Sequence, residues 1–161
     1  MQALLTVVFL LIVAPVAGLA GEPFDLKHFD AKFDYADFPA GEIFHGKRAP
    51  VDYKSHRLAR VFRTVITEGA KEAPNFAGHY TFIEWGCGSN CSRSAVVDAK
   101  SGKVYEGPVA GNGFEFRLDS RLLKLSPADI HGNYPYLFYT LPELYVWNEK
   151  LKKFELVQKA E

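Results

Sequence analysis

Four stretches of this chain carry four different patterns of apolar and polar residues. An apolar core from Ala3 to Val13 opens it. Residues 22–50 come next with no sustained period, carrying Phe24, Phe29, Phe33, Phe38 and Phe44 among prolines, glycines and acids. Over residues 55–68, Leu58, Val61, Phe62, Val65 and Ile66 recur at three and four residues, which puts them on one face of an amphipathic helix. Ser55 is placed to cap that helix and Gly69 to end it. After Pro74 the period falls towards two. Short apolar segments between turn residues predict strands at 78–85, 94–98, 103–106, 113–118, 121–125, 136–140, 144–148 and 154–158. Phe114, Phe116 and Leu118 alternate with Glu115 and Arg117, as in a sheet with one buried face. Ala99-Lys-Ser-Gly102 predicts a tight turn, as does the stretch from Asn148 to Lys153.

These elements predict an α+β fold: an antiparallel meander of about six to eight short strands packed on one main amphipathic helix. The opening apolar run is shorter than the roughly 20 residues needed to span a bilayer, and Gly18 and Ala20 suit cleavage before Gly21. Residues 1–20 therefore read as a secretory signal peptide, although no Lys or Arg precedes the apolar core. Its removal leaves about 140 residues, a normal size for one domain. We expect residues 21–50 to form an irregular, aromatic-rich arm pinned by its phenylalanines onto a single α+β domain at 51–161, because mobile linkers lack such aromatic content.

Charge narrows the range of partners. Nineteen basic residues balance nineteen acidic ones and no basic tract occurs, so there is no electrostatic case for nucleic acid or a membrane surface. Arg57, Arg60 and Arg63 lie largely off the apolar stripe of the predicted helix and read as its solvated face.

The remaining chemistry centres on Cys87 and Cys91, the only cysteines, with three residues between them. In an exported protein a disulfide is their default state. So short a loop contributes roughly 2 kcal/mol, so its main effect is local rigidity. A rigid tip has lost its ordering entropy before a partner arrives. Trp85 would then anchor the contact, with Gly88, Ser89, Asn90 and Arg93 around it. The competing reading has the bridge tidy a strand connection, with Trp85 turned into the core.

Other chemistries find less support. Thiol redox sites favour two intervening residues at a helix start. Zinc would need a fourth ligand, His45 or His131, beside the two cysteines and His79. A paired cysteine is no nucleophile, and Gly88-Ser89-Asn90-Cys91 lacks the nucleophile-elbow glycine. No P-loop, dinucleotide fingerprint or haem motif occurs, so neither metal nor cofactor is called for. Acid-base chemistry at His79, oriented by Asn75, Glu84 or Asp98, remains the enzymatic alternative, a small exported hydrolase.

Asn75-Phe-Ala-Gly-His-Tyr80, Trp85-Gly-Cys-Gly-Ser-Asn-Cys91 and Val97-Asp-Ala-Lys-Ser-Gly-Lys-Val-Tyr105 together resemble a group of small exported bacterial proteins, a likeness that brings no activity with it. The layout of helix, strand, cysteine loop, strand, tight turn and strand is similar to periplasmic lysozyme inhibitors of the vertebrate-lysozyme type. That resemblance implies a disulfide-held loop entering an enzyme cleft. Their loop has four residues between the cysteines, one a histidine; here only Gly88, Ser89 and Asn90 stand there. The expectation is a periplasmic or secreted binding module for a protein partner such as a cell-wall hydrolase, of inhibitor or immunity type, with no stable membrane anchor after signal cleavage. A purely structural envelope component would also fit.

Overall fold

Two neighbouring strands are apolar on both faces. Leu123, Leu125, Tyr145 and Trp147 face one core, while Leu122, Leu144 and Val146 face another. A strand of that kind must be covered on both sides, and this requirement orders the layers. The structure is a computed structural model that describes residues 26–135 and 141–161. The expected signal peptide at 1–20 and the expected strand at 136–140 lie outside the described residues.

The fold is α+β, with nine strands in three antiparallel sheets among the described residues. The strands are β1 (Leu26–His28), β2 (Tyr80–Gly88), β3 (Cys91–Asp98), β4 (Val104–Glu106), β5 (Phe114–Phe116), β6 (Leu122–Leu125), β7 (Asn133–Pro135), β8 (Glu143–Asn148) and β9 (Lys153–Lys159). The helices are α1 (Arg57–Val61) and α2 (Arg63–Gly69). The meander thus divides into a sheet β2-β3-β4 and a sheet β5-β6-β8-β9, with β1-β7 as a small ribbon.

The two larger sheets share a core of Phe76, Tyr80, Phe82, Val96, Leu123 and Trp147. On the far side of β2-β3-β4, Ile83, Ala95, Val97 and Val104 are covered by Leu58, Ala59 and Ile66 of the helices. On the far side of the other sheet lies the arm, whose Phe29, Phe33, Tyr35 and Phe38 pack with Leu122, Leu144 and Val146. Phe29, Phe33 and Phe38 of the arm are therefore part of a third core layer, while Phe24 lies outside the described residues.

The predicted single helix is broken. Phe62 leaves helical geometry (φ −105°, ψ 37°) and its ring lies 4.9 Å from that of Trp85. Packing on that indole draws the backbone off at Phe62, although its N–H still donates to the Leu58 carbonyl at 2.9 Å and its carbonyl accepts from the Ile66 N–H at 3.0 Å, and the chain makes an elbow there. Two further expectations change with it. Val61 is 58% exposed, and His56 rather than Ser55 caps α1, through Nδ1 accepting from the Leu58 N–H at 3.2 Å. Ser55 instead stitches the helices to the sheet, donating to the Asp52 carbonyl at 2.6 Å and accepting from the Val104 N–H at 2.9 Å.

Candidate functional site

The β2–β3 hairpin connects two candidate sites, one at its tip and one at its base. Its pairing runs from Tyr80 opposite Asp98 to Gly86 opposite Ser92, then slips so that Gly88 faces Cys91 and Cys87 is the extra residue of a bulge. The turn is made by Ser89 and Asn90, the latter in the left-handed region at φ 51°. Cys87 and Cys91 form the disulfide, with Cα atoms 5.1 Å apart, within the usual range for such a bridge. Residues 86–90 are exposed. A Cβ placed on Gly86 or Gly88 would meet nothing within 4 Å, so the tip stands clear of the rest of the described protein.

Of the residues expected at this tip, Gly88, Ser89 and Asn90 are fully presented. Trp85 and Arg93 are half-buried at its root, directly opposite each other. Trp85 packs inward on Phe62, and its indole N–H is buried without a hydrogen-bond partner among the described residues. The Arg93 guanidinium lies 5.3 Å over the Phe62 ring and pairs with Glu106 at 2.8 Å. Trp85 therefore sits at the root of the tip, packed inward, rather than at its leading edge.

The other end of the hairpin is the His79 region. Asn75, Phe76, Ala77 and Gly78 make a tight reversal, with Ala77 at φ 46° and Gly78 at φ 84°. A Cβ on Gly78 would come 2.8 Å from the Glu42 carbonyl oxygen. Left-handed geometry at an alanine costs about 1 kcal/mol or more. It is held by the Ala77 N–H donating to Ser120 at 3.1 Å and the Gly78 N–H donating to Leu118 at 2.7 Å. His79 comes next, its side chain 13% exposed, with Nε2 at 3.8 Å from Asp98 Oδ1 and 3.7 Å from Glu149 Oε1. Burial pulls its pKa below the usual 6.5, against the opposing pull of the two carboxylates. It borders a depression of about 410 Å³ lined also by Glu42, Ala77, Lys100, Arg121 and Glu149.

The expected alternative site is thus brought together in part. Asp98 reaches His79, but its carboxylate also accepts from the Lys100 N–H at 2.8 Å and the Ser101 hydroxyl at 2.6 Å. Asn75 does not join them: its side chain accepts from the Phe82 N–H at 2.7 Å and donates to the Phe82 carbonyl at 3.4 Å, across the reversal. Glu84 is exposed, further along β2 towards the tip.

Residues with no local sequence signal complete this end. The Tyr80 hydroxyl donates to Glu149 at 3.0 Å and accepts from Lys152 Nζ at 2.8 Å. Lys152 also pairs with Glu149, and Trp147 Nε1 donates to Glu149 at 2.9 Å. Burial alone would raise the Glu149 pKa, but the hydrogen bonds from Lys152, Trp147 and Tyr80 bring it below the ordinary carboxylate value. Burial likewise pulls Lys152 down, and its bonds to Glu149 and Tyr80 more than reverse that. The cluster ties the start of β2 to the β8–β9 turn. Tyr80 and Glu149 are 69 residues apart, which is why no spacing rule finds it.

Both cysteines are bridged, leaving no free thiol among the described residues for a nucleophile or a zinc ligand. The disulfide fits an oxidising compartment. Among the described residues no helix is long and apolar enough to cross a membrane. Set beside known protein families, characterised proteins and solved structures, the chain matches none.

Proposed function

We propose that this chain is an exported binding module, acting in the periplasm or outside the cell, whose disulfide-closed β2–β3 tip enters a cleft of a protein partner. A cell-wall hydrolase is the partner class proposed, and the module serves as its inhibitor or immunity protein. The observation that carries the reading is the tip itself. Five consecutive exposed residues are locked by a covalent bridge onto a hairpin packed on both faces at its base, and a Cβ on either of their glycines would meet nothing within 4 Å. Such a tip has little entropy left to lose on docking. Ser89 and Asn90 supply hydroxyl and carboxamide groups that both donate and accept, suited to the polar floor of a cleft.

Capture from an envelope extract tests the reading, using the oxidised protein beside its Cys87→Ser, Cys91→Ser double variant. A partner retained by the oxidised form and lost from the variant is the expected outcome. Equal retention by both would remove the argument from rigidity.

A small exported hydrolase is favoured by one observation, the approach of Asp98 and Glu149 to His79 beside the depression. In that reading His79 is the general base. Hydrolytic activity abolished by His79→Gln, with the thermal transition unchanged, would establish it; activity retained by His79→Gln would end it.

A further inference from the structure

The elbow between α1 and α2 lies at the tip end of the sheet β2-β3-β4, because Phe62 sits on Trp85. Trp85 is four residues before Ser89 along the hairpin, about 13 Å in an extended strand. Arg57, Arg60 and Arg63 are exposed around this elbow, and residues 53–67 contain no acid. Among the described residues none of the three arginines has a carboxylate partner. Arg57 and Arg60 share a helix face, while Arg63 is steadied 4.2 Å over the Tyr53 ring. Val61 lies exposed between Arg60 and Phe62. Trp85, on which Phe62 packs, carries the one buried side-chain polar atom without a partner among the described residues, its indole N–H.

Guanidinium and indole N–H groups donate and cannot accept. The side chains of Arg57, Arg60 and Arg63 therefore offer no acceptors, and the Glu106 carboxylate is already paired with Arg93, whose guanidinium lies over the Phe62 ring. The complement of the three arginines is a surface rich in carboxylates. Its composition also separates classes of partner. Arginine, tryptophan and phenylalanine around an exposed valine are what protein interfaces concentrate. Anionic lipids and nucleic acids instead draw dense Lys/Arg tracts, and this neutral chain has none. We infer that the elbow is the second half of the docking surface and receives an acidic protein segment, with carboxylates meeting Arg57 and Arg60. The inference rests on the reading that the tip docks on a protein.

The test is a titration of the purified, oxidised protein with a synthetic Glu/Asp-rich peptide, read by indole fluorescence. Trp85 reports, because Trp147 is fully buried in the sheet core. The expected result is a shift of Trp85 emission whose midpoint weakens about tenfold in Arg57→Glu, Arg60→Glu and about tenfold again with added salt. Arg57→Lys, Arg60→Lys should keep most of the binding, and circular dichroism of both variants should match the parent. No shift with the peptide, or a shift indifferent to charge reversal, would overturn the inference. So would phosphatidylglycerol vesicles that move Trp85 emission more effectively than the peptide. Loss of peptide binding with disulfide-dependent capture intact sinks the elbow alone; the reverse sinks the tip reading alone.

Discussion

The two ends of the β2–β3 hairpin are built from the same kinds of residue and used differently. At the base, Asn75, Gly78, Asp98 and Gly102 each complete a specific fit: Asn75 and Asp98 satisfy neighbouring backbone donors, and the two glycines leave room for passing carbonyls. At the tip, Gly86, Gly88, Ser89 and Asn90 are exposed, and a Cβ on either glycine would meet nothing within 4 Å. A motif that spans both ends mixes two sorts of requirement. Residues at the base are held by contacts with the rest of the fold, and those at the tip only by the hairpin's own turn and disulfide.

Substitution should separate the ends sharply. Gly102→Ala is expected to be the most damaging, because φ is +74° and the new Cβ would lie 1.9 Å from the Pro50 carbonyl oxygen. A loss of about 3 kcal/mol or more, or failure to fold, should appear in denaturant melts. Asn75→Ala leaves the buried Phe82 N–H without its acceptor and should cost about 1–3 kcal/mol in the same assay. Removing the disulfide as Cys87→Ser, Cys91→Ser should cost roughly 2 kcal/mol or less, with a larger proportional effect on partner binding than on stability.

A pH series sharpens the comparison further. The His79 pKa is depressed in the folded protein, so the unfolded chain takes up the proton first as pH falls below 6.5. Stability is then complete above 6.5 and drains as pH falls through the folded value. Thermal melts from pH 7.5 to 5 should show this decline, flattened in His79→Gln. Glu149, also depressed, loses its contribution lower still, below its ordinary 4.5. Smallest of all, Gly86→Ala should change stability by no more than about 0.5 kcal/mol, since open space surrounds it. A large loss there would mean that the tip has an internal partner after all.

How much of the molecule is legible in its sequence depends on whether the signal is local. The hairpin, its disulfide, the turn at Asp98–Gly102 and the strands β5, β6, β8 and β9 follow from alternation and turn residues within a few positions. The packing of Phe29, Phe33 and Phe38 onto the strands is readable from aromatic content. The division into two stacked sheets is not, because alternation tells which face of a strand is apolar and never which layer will cover it. The helix break at Phe62 escapes for a similar reason. An aromatic at helical spacing fits the stripe, and only the position of Trp85 across the sheet draws it off. Trp85 itself reads equally well as anchor or as core, and the packing partner decides. At the candidate sites, proximity of His79 to Asp98 is expected from sequence, whereas Glu149 and Lys152 come from a turn some 70 residues on and carry no mark of their own.

Site-specific photo-cross-linking in living cells compares the two ends most directly, with one probe replacing Ser89 at the tip and another replacing Lys100 beside the His79 depression. A discrete protein adduct from position 89 and none from position 100 is the expected result. An adduct from position 100 alone would contradict the assignment of function to the tip and move it to His79.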